Sequence, residues 1–313
     1  MQKYIILIIF LFILFILMYV YNEINKLDKK CYQFDKNDNK PNNFTTSDDT
    51  LNKTTIDNII YKSAFNCCCI GNMRNDYVDI CALKNCYYNG ARTLDFQIFS
   101  LNNNPVVSAS VVNQNEYKEL YNYLSLSEVC ININEYFLKS SRTNNNNEVL
   151  FLNFRINSNN IDIYNSIHDI LLKNFNNKHQ ILTKTTMGKP IEKYTLEELK
   201  YKIIIMVDLN TSPEFNNLFN STKLSKITLI KFGAGQINHA LYENEVVYQA
   251  PNAGLSSIYP KKKYRTSNYD YKNKGINNGF NFIFMNYQKN DNWLKKYNNE
   301  FNTYSSFMIK QNS

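Results

Sequence analysis

From Tyr4 to Tyr21 the chain runs YIILIIFLFILFILMYVY, eighteen residues without a charge, a glycine or a proline. At a helical rise of about 1.5 Å per residue this segment is roughly 27 Å long, close to the hydrocarbon thickness of a bilayer. It is longer than the apolar region of a usual cleaved signal peptide. The polar run Asn22-Glu23-Ile24-Asn25-Lys26 follows it where a small-residue cleavage site would stand. Residues 1–30 are therefore expected to form one transmembrane anchor with its flanks, making this a single-pass membrane protein. Lys3 alone precedes the span, whereas Lys26, Lys29, Lys30 and Lys36 follow it, which places the carboxyl-terminal domain in the cytoplasm by the positive-inside tendency. Sequons at Asn43, Asn52, Asn210 and Asn220 would matter only in the opposite topology, and a chain so rich in Asn produces them by chance.

Beyond the span, residues 31–56 (CYQFDKNDNKPNNFTTSDDTLNKTTI) are polar with few large apolar side chains, and read as a flexible tether. Residues 57–313 are long enough for one large domain, and 44% hydrophobic with 14% aromatic residues argues against disorder. Seven cysteines include the adjacent Cys67, Cys68 and Cys69, whose side chains point apart. No CxxC pair occurs, so reduced thiols are expected rather than a zinc site. The net charge of +8 is modest and spread along the chain, giving no reason to expect a nucleic-acid partner. Its one cluster, Lys261, Lys262, Lys263 and Arg265, would favour anionic headgroups on a tethered domain.

Strand-like runs at Arg92–Phe99, Pro105–Ala109, Val149–Arg155, Lys202–Asp208, Ile227–Phe232 and Phe280–Tyr287 alternate with helical spacing over Asp76–Asn89, Glu116–Tyr123, Ile161–Phe175 and Leu196–Tyr201. This alternation predicts an α/β domain, either a (β/α)8-like TIM barrel or a doubly wound open sheet, which periodicity cannot separate. No phosphate-binding Gly-rich loop and no Gly-x-Ser-x-Gly elbow occurs. Along Arg92–Phe99, Thr93, Asp95 and Gln97 share one face and Leu94, Phe96 and Ile98 the other. A carboxylate beside an amide at the end of a barrel strand suits a hard cation or a sugar hydroxyl.

Two separated stretches carry a resemblance. Residues 63–110 (SAFNCCC…ALKNCYYNGARTLDFQIFSLNNNPVVSAS) resemble the X half of the phosphoinositide-specific phospholipase C barrel, with its Ser-His-Asn-Thr, Gly-x-Arg-x-x-Glu-x-Asp and Pro-x-x-x-His-Gly segments. Residues 256–288 (SSIYPKKKYRTSNYDYKNKGINNGFNFIFMNYQ) look like the Y half, with its Tyr-Pro, Arg, Ser-Asn-Tyr and Asn-x-Gln pattern. The resemblance implies a TIM barrel over 57–313, the X-like half spanning about 57–208 and the Y-like half about 225–313.

It also implies a chemistry, in which the inositol 2-hydroxyl attacks phosphorus with the help of two histidines, a general base and a bound Ca²⁺. Here the two histidine positions align with Phe65 and Ala109, neither of which can carry a proton. Each positioned acid or base contributes about 10²–10⁴ in rate, so losing both removes most activity. The implied calcium ligands are degraded as well. Asn66 and Asp95 remain as the metal candidates, Gln97 replaces an Asp, and Arg155, or Asn153 after a two-residue slip, meets a Glu. Met206 and Asp208 stand where two phosphate-binding lysines would be. No cofactor is therefore expected. Asn66, Asp95, Gln97, Arg155 and Arg265 become the pocket candidates, with Asp95 and Arg155 expected to pair. Lys261, Lys262 and Lys263 are the expected membrane contacts.

The leading expectation is a membrane-anchored phospholipase C-like pseudoenzyme that binds a phosphoinositide headgroup or a protein partner. An active phosphoric diester hydrolase with relocated catalytic groups and a structural membrane scaffold are the alternatives. His168, His179 and His239 lie away from the X-like motifs, and Cys67 is ill suited to the intramolecular reaction.

Overall fold

The computed structural model describes residues 2–36, 49–112, 117–139, 146–175, 180–208, 213–233, 237–242, 254–261, 263–301 and 306–310. Its strands are β1 (Ile59–Ala64), β2 (Thr93–Leu101), β3 (Asn104–Ser108), β4 (Leu124–Ser125), β5 (Leu150–Asn157), β6 (Gln180–Ile181), β7 (Lys202–Asp208), β8 (Thr228–Phe232), β9 (His239–Tyr242), β10 (Ser256–Tyr259), β11 (Phe282–Met285) and β12 (Phe307–Ile309). Its α-helices are α1 (Gln2–Ile24), α2 (Lys26–Asp35), α3 (Asp49–Lys53), α4 (Ile80–Tyr88), α5 (Leu126–Ile133), α6 (Ile161–Asn174), α7 (Pro213–Asn220), α8 (Leu224–Ile227), α9 (Tyr271–Lys274) and α10 (Asn292–Glu300).

The wall is a curled sheet in the order β6-β7-β5-β2-β1-β11-β10-β9, with β8 also on β7. Every pairing along that path is parallel. Such strands are covered on both faces, which is why they read as dense apolar runs such as Ile203–Val207. Among the described residues β8 and β9 meet through one isolated bridge, Phe232 to Asn238. The architecture is thus a half-barrel, where a closed eight-fold ladder was expected. Three antiparallel pairings decorate it: β3 on β2, β4 on β3 and β12 on β1.

Inside the curl, the Tyr61 ring lies 4.7 Å from that of Phe151 and 4.8 Å from that of Phe282, and Phe232 closes on Phe282 at 6.2 Å. Each fully buried ring of this kind contributes about 1.5–3 kcal/mol. The Tyr61, Phe151 and Phe282 rings of this aromatic floor lie in the amino-terminal halves of their strands, while Phe232 comes from the last residue of β8; the polar inward residues Asp95, Asn153 and Arg155 follow further along β2 and β5. Outside, α6 starts at Asn160, whose side chain accepts from the Asp162 N–H, and buries Ile163, Ile167 and Leu171 on one face.

Three expectations are corrected. The tether is largely ordered at its two ends. An Asn25 N–H to Tyr21 carbonyl bond and a Lys29 N–H to Asn25 carbonyl bond, both 3.1 Å, carry the helix from α1 almost straight into α2. There Phe34 joins Ile70, Cys81 and Ala82 in a small apolar cluster of its own. At the other end α3 buries Leu51, and only residues 37–48 of the tether lie outside the described residues. The thiols are not all reduced, since Cys31 and Cys81 form a disulfide with Cα atoms 5.4 Å apart. Finally, residues 117–123 and Leu196–Tyr201 are turns and loop, although Leu120, Leu196 and Leu199 are buried in the core. Helices do occupy Ile80–Tyr88 and Ile161–Asn174, as the spacing predicts.

The contacts of α2 ascend together with those of the segment leading into α4. Lys26 reaches Asp76 at 3.2 Å, Cys31 bonds Cys81, and Phe34 clusters with Ala82. The two helices therefore run side by side in the same direction. Since Asp79, at the start of α4, donates its N–H to the Cys68 carbonyl just beyond the carboxyl end of β1, α1 extends the rod beyond that end of the half-barrel. Residues 4–21 are all exposed along it.

Candidate functional site

Strands β2 and β5 lie in register, Asp95 opposite Asn153 and Gln97 opposite Arg155. Alternation sends all four to the inner face, where the pair of strands alone can assemble a polar cluster. Asp95 is the centre of that cluster and is fully buried. Its Oδ1 accepts from Arg155 Nε and Asn153 Nδ2, both at 2.8 Å. Its Oδ2 accepts from Arg155 Nη2 at 2.7 Å and from the backbone N–H of Asn66 at 3.0 Å. Arg155 Nη2 also donates to Asn66 Oδ1 at 2.6 Å. This is a two-pronged guanidinium–carboxylate pair with both carboxylate oxygens fully subscribed.

Asn66 follows β1 with φ of 47°, a left-handed conformation that Asn tolerates better than most residues. That turn lets one residue offer its N–H to Asp95 while its side-chain oxygen faces Arg155. Phe65, immediately before it, lays its ring 4.3 Å from the guanidinium carbon, and Tyr259 on β10 approaches the same group at 5.8 Å. Phe65 and Tyr259 are 5.6 Å apart and both buried, so the cation is capped by two ring faces. Burial by itself would lower the Arg155 pKa, but the Asp95 carboxylate outweighs it and holds the guanidinium firmly charged. Burial pushes the phenols of Tyr242 and Tyr259 up, so neither is a source of a phenolate near neutral pH.

The other expected residues are placed as follows. Gln97 turns away from Asp95 and closes on the backbone of Ser110, accepting its N–H at 2.9 Å and donating to its carbonyl at 3.3 Å. Ala109 is fully buried next to it, with its carbonyl accepting the Glu119 N–H. Asp208 is in register with Arg155, and Met206 with Asn153. Arg265 stands exposed on the loop after β10, outside the buried cluster. On that loop Lys263 is exposed, Lys261 half-buried, and Lys262 lies outside the described residues. The loop is fastened beside the segment that receives α2, through Thr266 to the Gly71 carbonyl at 3.2 Å and the Met73 N–H to the Tyr264 carbonyl at 3.4 Å.

The histidines stay apart. His168 pairs with its neighbour Asp169 at 2.8 Å on α6, His239 begins β9 on the surface, and His179 lies outside the described residues. Cys67 is buried against the Ala64 carbonyl, and burial raises its thiol pKa well above the ordinary value, so it is not a thiolate. Asn153 and Tyr259 are the members of the cluster that motif alignment undervalues. Asn153 bridges the two, donating to Asp95 and to the Tyr259 hydroxyl at 3.0 Å. Its signal was available in the strand alternation, which places Phe151, Asn153 and Arg155 on one face.

A calcium ion asks for six to eight oxygen ligands. The cluster offers one carboxylate whose oxygens already accept four N–H bonds, and a fixed positive charge beside it. This donor set does not fit the ion.

No family model matches the chain, and no curated protein matches it. Solved structures do. The chain is similar to L. pealei PLC21 (TM-score 0.62, 14% identity, covering 83% of this chain) and S. officinalis PLC21 (0.63, 13%, 83%), of which it spans 38% and 37% of the length. It is also similar to a calcium-dependent phosphoinositol-specific phospholipase C from a Pseudomonas species, with TM-score 0.53 and 10% identity, covering 86% of this chain and 99% of that one. At these identities the likeness shows a common fold.

Proposed function

We propose that this protein is a membrane-anchored phospholipase C-like pseudoenzyme, metal-free at the mouth of its barrel, which presents that mouth to a phosphoinositide headgroup or a protein partner. The observation that carries the reading is the Arg155–Asp95 pair capped by Phe65. Where the fold's chemistry requires a divalent cation and an imidazole, this chain has a tethered guanidinium and a phenyl ring. Ala109 adds a second position with no transferable proton. Neither Tyr259, Tyr242 nor Cys67 offers a replacement base, because burial keeps all three protonated.

The bilayer enters through α1, whose eighteen apolar residues are exposed along their whole length and meet the length and composition of a membrane span. The described part of the basic loop, Lys261 and Lys263 to Arg265, is fastened through Tyr264 and Thr266 beside the segment that Lys26 reaches at the junction of α1 and α2, which supports its role as a contact for anionic headgroups.

Release of inositol phosphates from phosphatidylinositol vesicles, with and without Ca²⁺, tests the central claim. No turnover above a heat-denatured control is expected, and turnover that withstands purification would refute the pseudoenzyme and favour a hydrolase with relocated groups. Calcium titration calorimetry should give no tight binding isotherm. Changing Lys261, Lys262 and Lys263 together to Ala should weaken binding to anionic vesicles several-fold, and unchanged binding would remove this loop as the membrane contact.

A further inference from the structure

We propose that the Cys31–Cys81 disulfide is a native covalent clamp between the anchor and the barrel, and that the barrel is accordingly held on the oxidising, non-cytoplasmic side of its membrane. Disulfides persist in secretory, extracellular and periplasmic compartments and are reduced in the cytoplasm. The pair here is not an accident of two thiols meeting on a mobile surface. The Phe34 cluster and the Lys26–Asp76 ion pair, with Asp76 almost fully buried, bring α2 to the same place on the barrel. The Cα separation of 5.4 Å lies within the range a disulfide needs.

The remaining cysteines fit the same compartment. Cys67, Cys68, Cys69, Cys86 and Cys130 are all buried, so no exposed thiol is left to mispair. The opposing indication, the excess of lysines after the span, is weakened by Lys26, whose ammonium is committed to Asp76. In this topology the sequons also acquire meaning, since the exposed Asn220 ends α7 with Ser221 and Thr222 after it.

Closing the bond removes one proton from each thiol and two electrons from the pair. An oxidoreductase disulfide accepts the electrons and becomes a dithiol. The one competing chemistry at the same place is metal binding by the reduced thiols, because an Asp79 carboxylate oxygen lies within 4.8 Å of both sulfurs.

The test uses the full chain translated into microsomes. The barrel should resist added protease until detergent opens the vesicles. The denatured, unreduced chain should take up five maleimide-polyethylene glycol labels, rising to seven after reduction. In the Cys31→Ser/Cys81→Ser variant the count should stay at five with and without reductant. An endoglycosidase-sensitive mass increment abolished by Asn220→Gln would add support. Digestion of the barrel without detergent would overturn the proposal, as would seven labels before reduction, with or without chelator-sensitive zinc. So would a reduction-dependent gain that survives in the double variant.

Discussion

Asp95 holds its negative charge in a place where an unpaired carboxylate would be intolerable, and Arg155 is the reason it can. Breaking a buried ion pair from one side costs about 3–5 kcal/mol, because the stranded charge loses its partner without regaining water. Arg155→Met should therefore lower the urea midpoint sharply, while Arg155→Met combined with Asp95→Asn should recover a measurable part of that loss. Equal damage in the single and double variants would show that shape, not charge, fixes the cluster. Lys62 gives a second residue-level expectation. Burial pulls its ammonium down to about 7, so above that pH the unfolded chain holds a proton that the folded one lacks. Stability should rise as the pH climbs from about 7 toward the ordinary lysine range near 10.5. Lys62→Met should flatten that rise and stabilise the protein at pH 7 by on the order of 2–4 kcal/mol. A pH profile of thermal midpoints measures both. At this scale alternation put Asp95 on one face with Thr93 and Gln97, and the family resemblance, not alternation, suggested its pairing with Arg155. The sequence grouped Gln97 with the pocket, whereas the Gln97 side chain closes on Ser110 because the end of β3 passes there, and it gave no sign of the left-handed backbone of Asn66. Neither is encoded in spacing.

Among the elements, long apolar strands were legible because a parallel sheet buried on both faces needs uninterrupted Val, Ile and Phe. The strand β1 escaped because Lys62 and Ser63 interrupt its pattern, and β9 and β10 because four residues carry little periodicity. The tether was misjudged for a related reason. Composition sees few apolar residues in 31–56, but Phe34 and Leu51 suffice to dock the two ends once a disulfide and an ion pair assist them. The bond closes a loop with a sequence separation of 50, for which chain entropy gives about 4 kcal/mol. In hydrogen exchange, reduction should unprotect amides of Lys26–Asp35 while those of β2 and β5 keep their protection. Simultaneous loss across the sheet would mean that the clamp supports the whole fold.

For the molecule as a whole, the near-continuous rod of α1 and α2 gives the proposed anchor an expected orientation. Its apolar part rises from the carboxyl ends of the strands, so a bilayer that holds α1 lies over the mouth and not over the aromatic floor. In a Trp293→Phe background, Tyr264→Trp on the basic loop should be quenched by lipids brominated along the acyl chain, and Asn277→Trp at the opposite end should not. Equal quenching would reject the orientation. The capped guanidinium has a consequence of a different kind. A bound ion has a dissociation constant and leaves when it is diluted or chelated, whereas a cation built into the polypeptide is always present at the same local concentration. On the proposed metal-free reading the mouth should keep its shape and charge whatever the metal content of its surroundings, and EDTA should leave the melting temperature where it was.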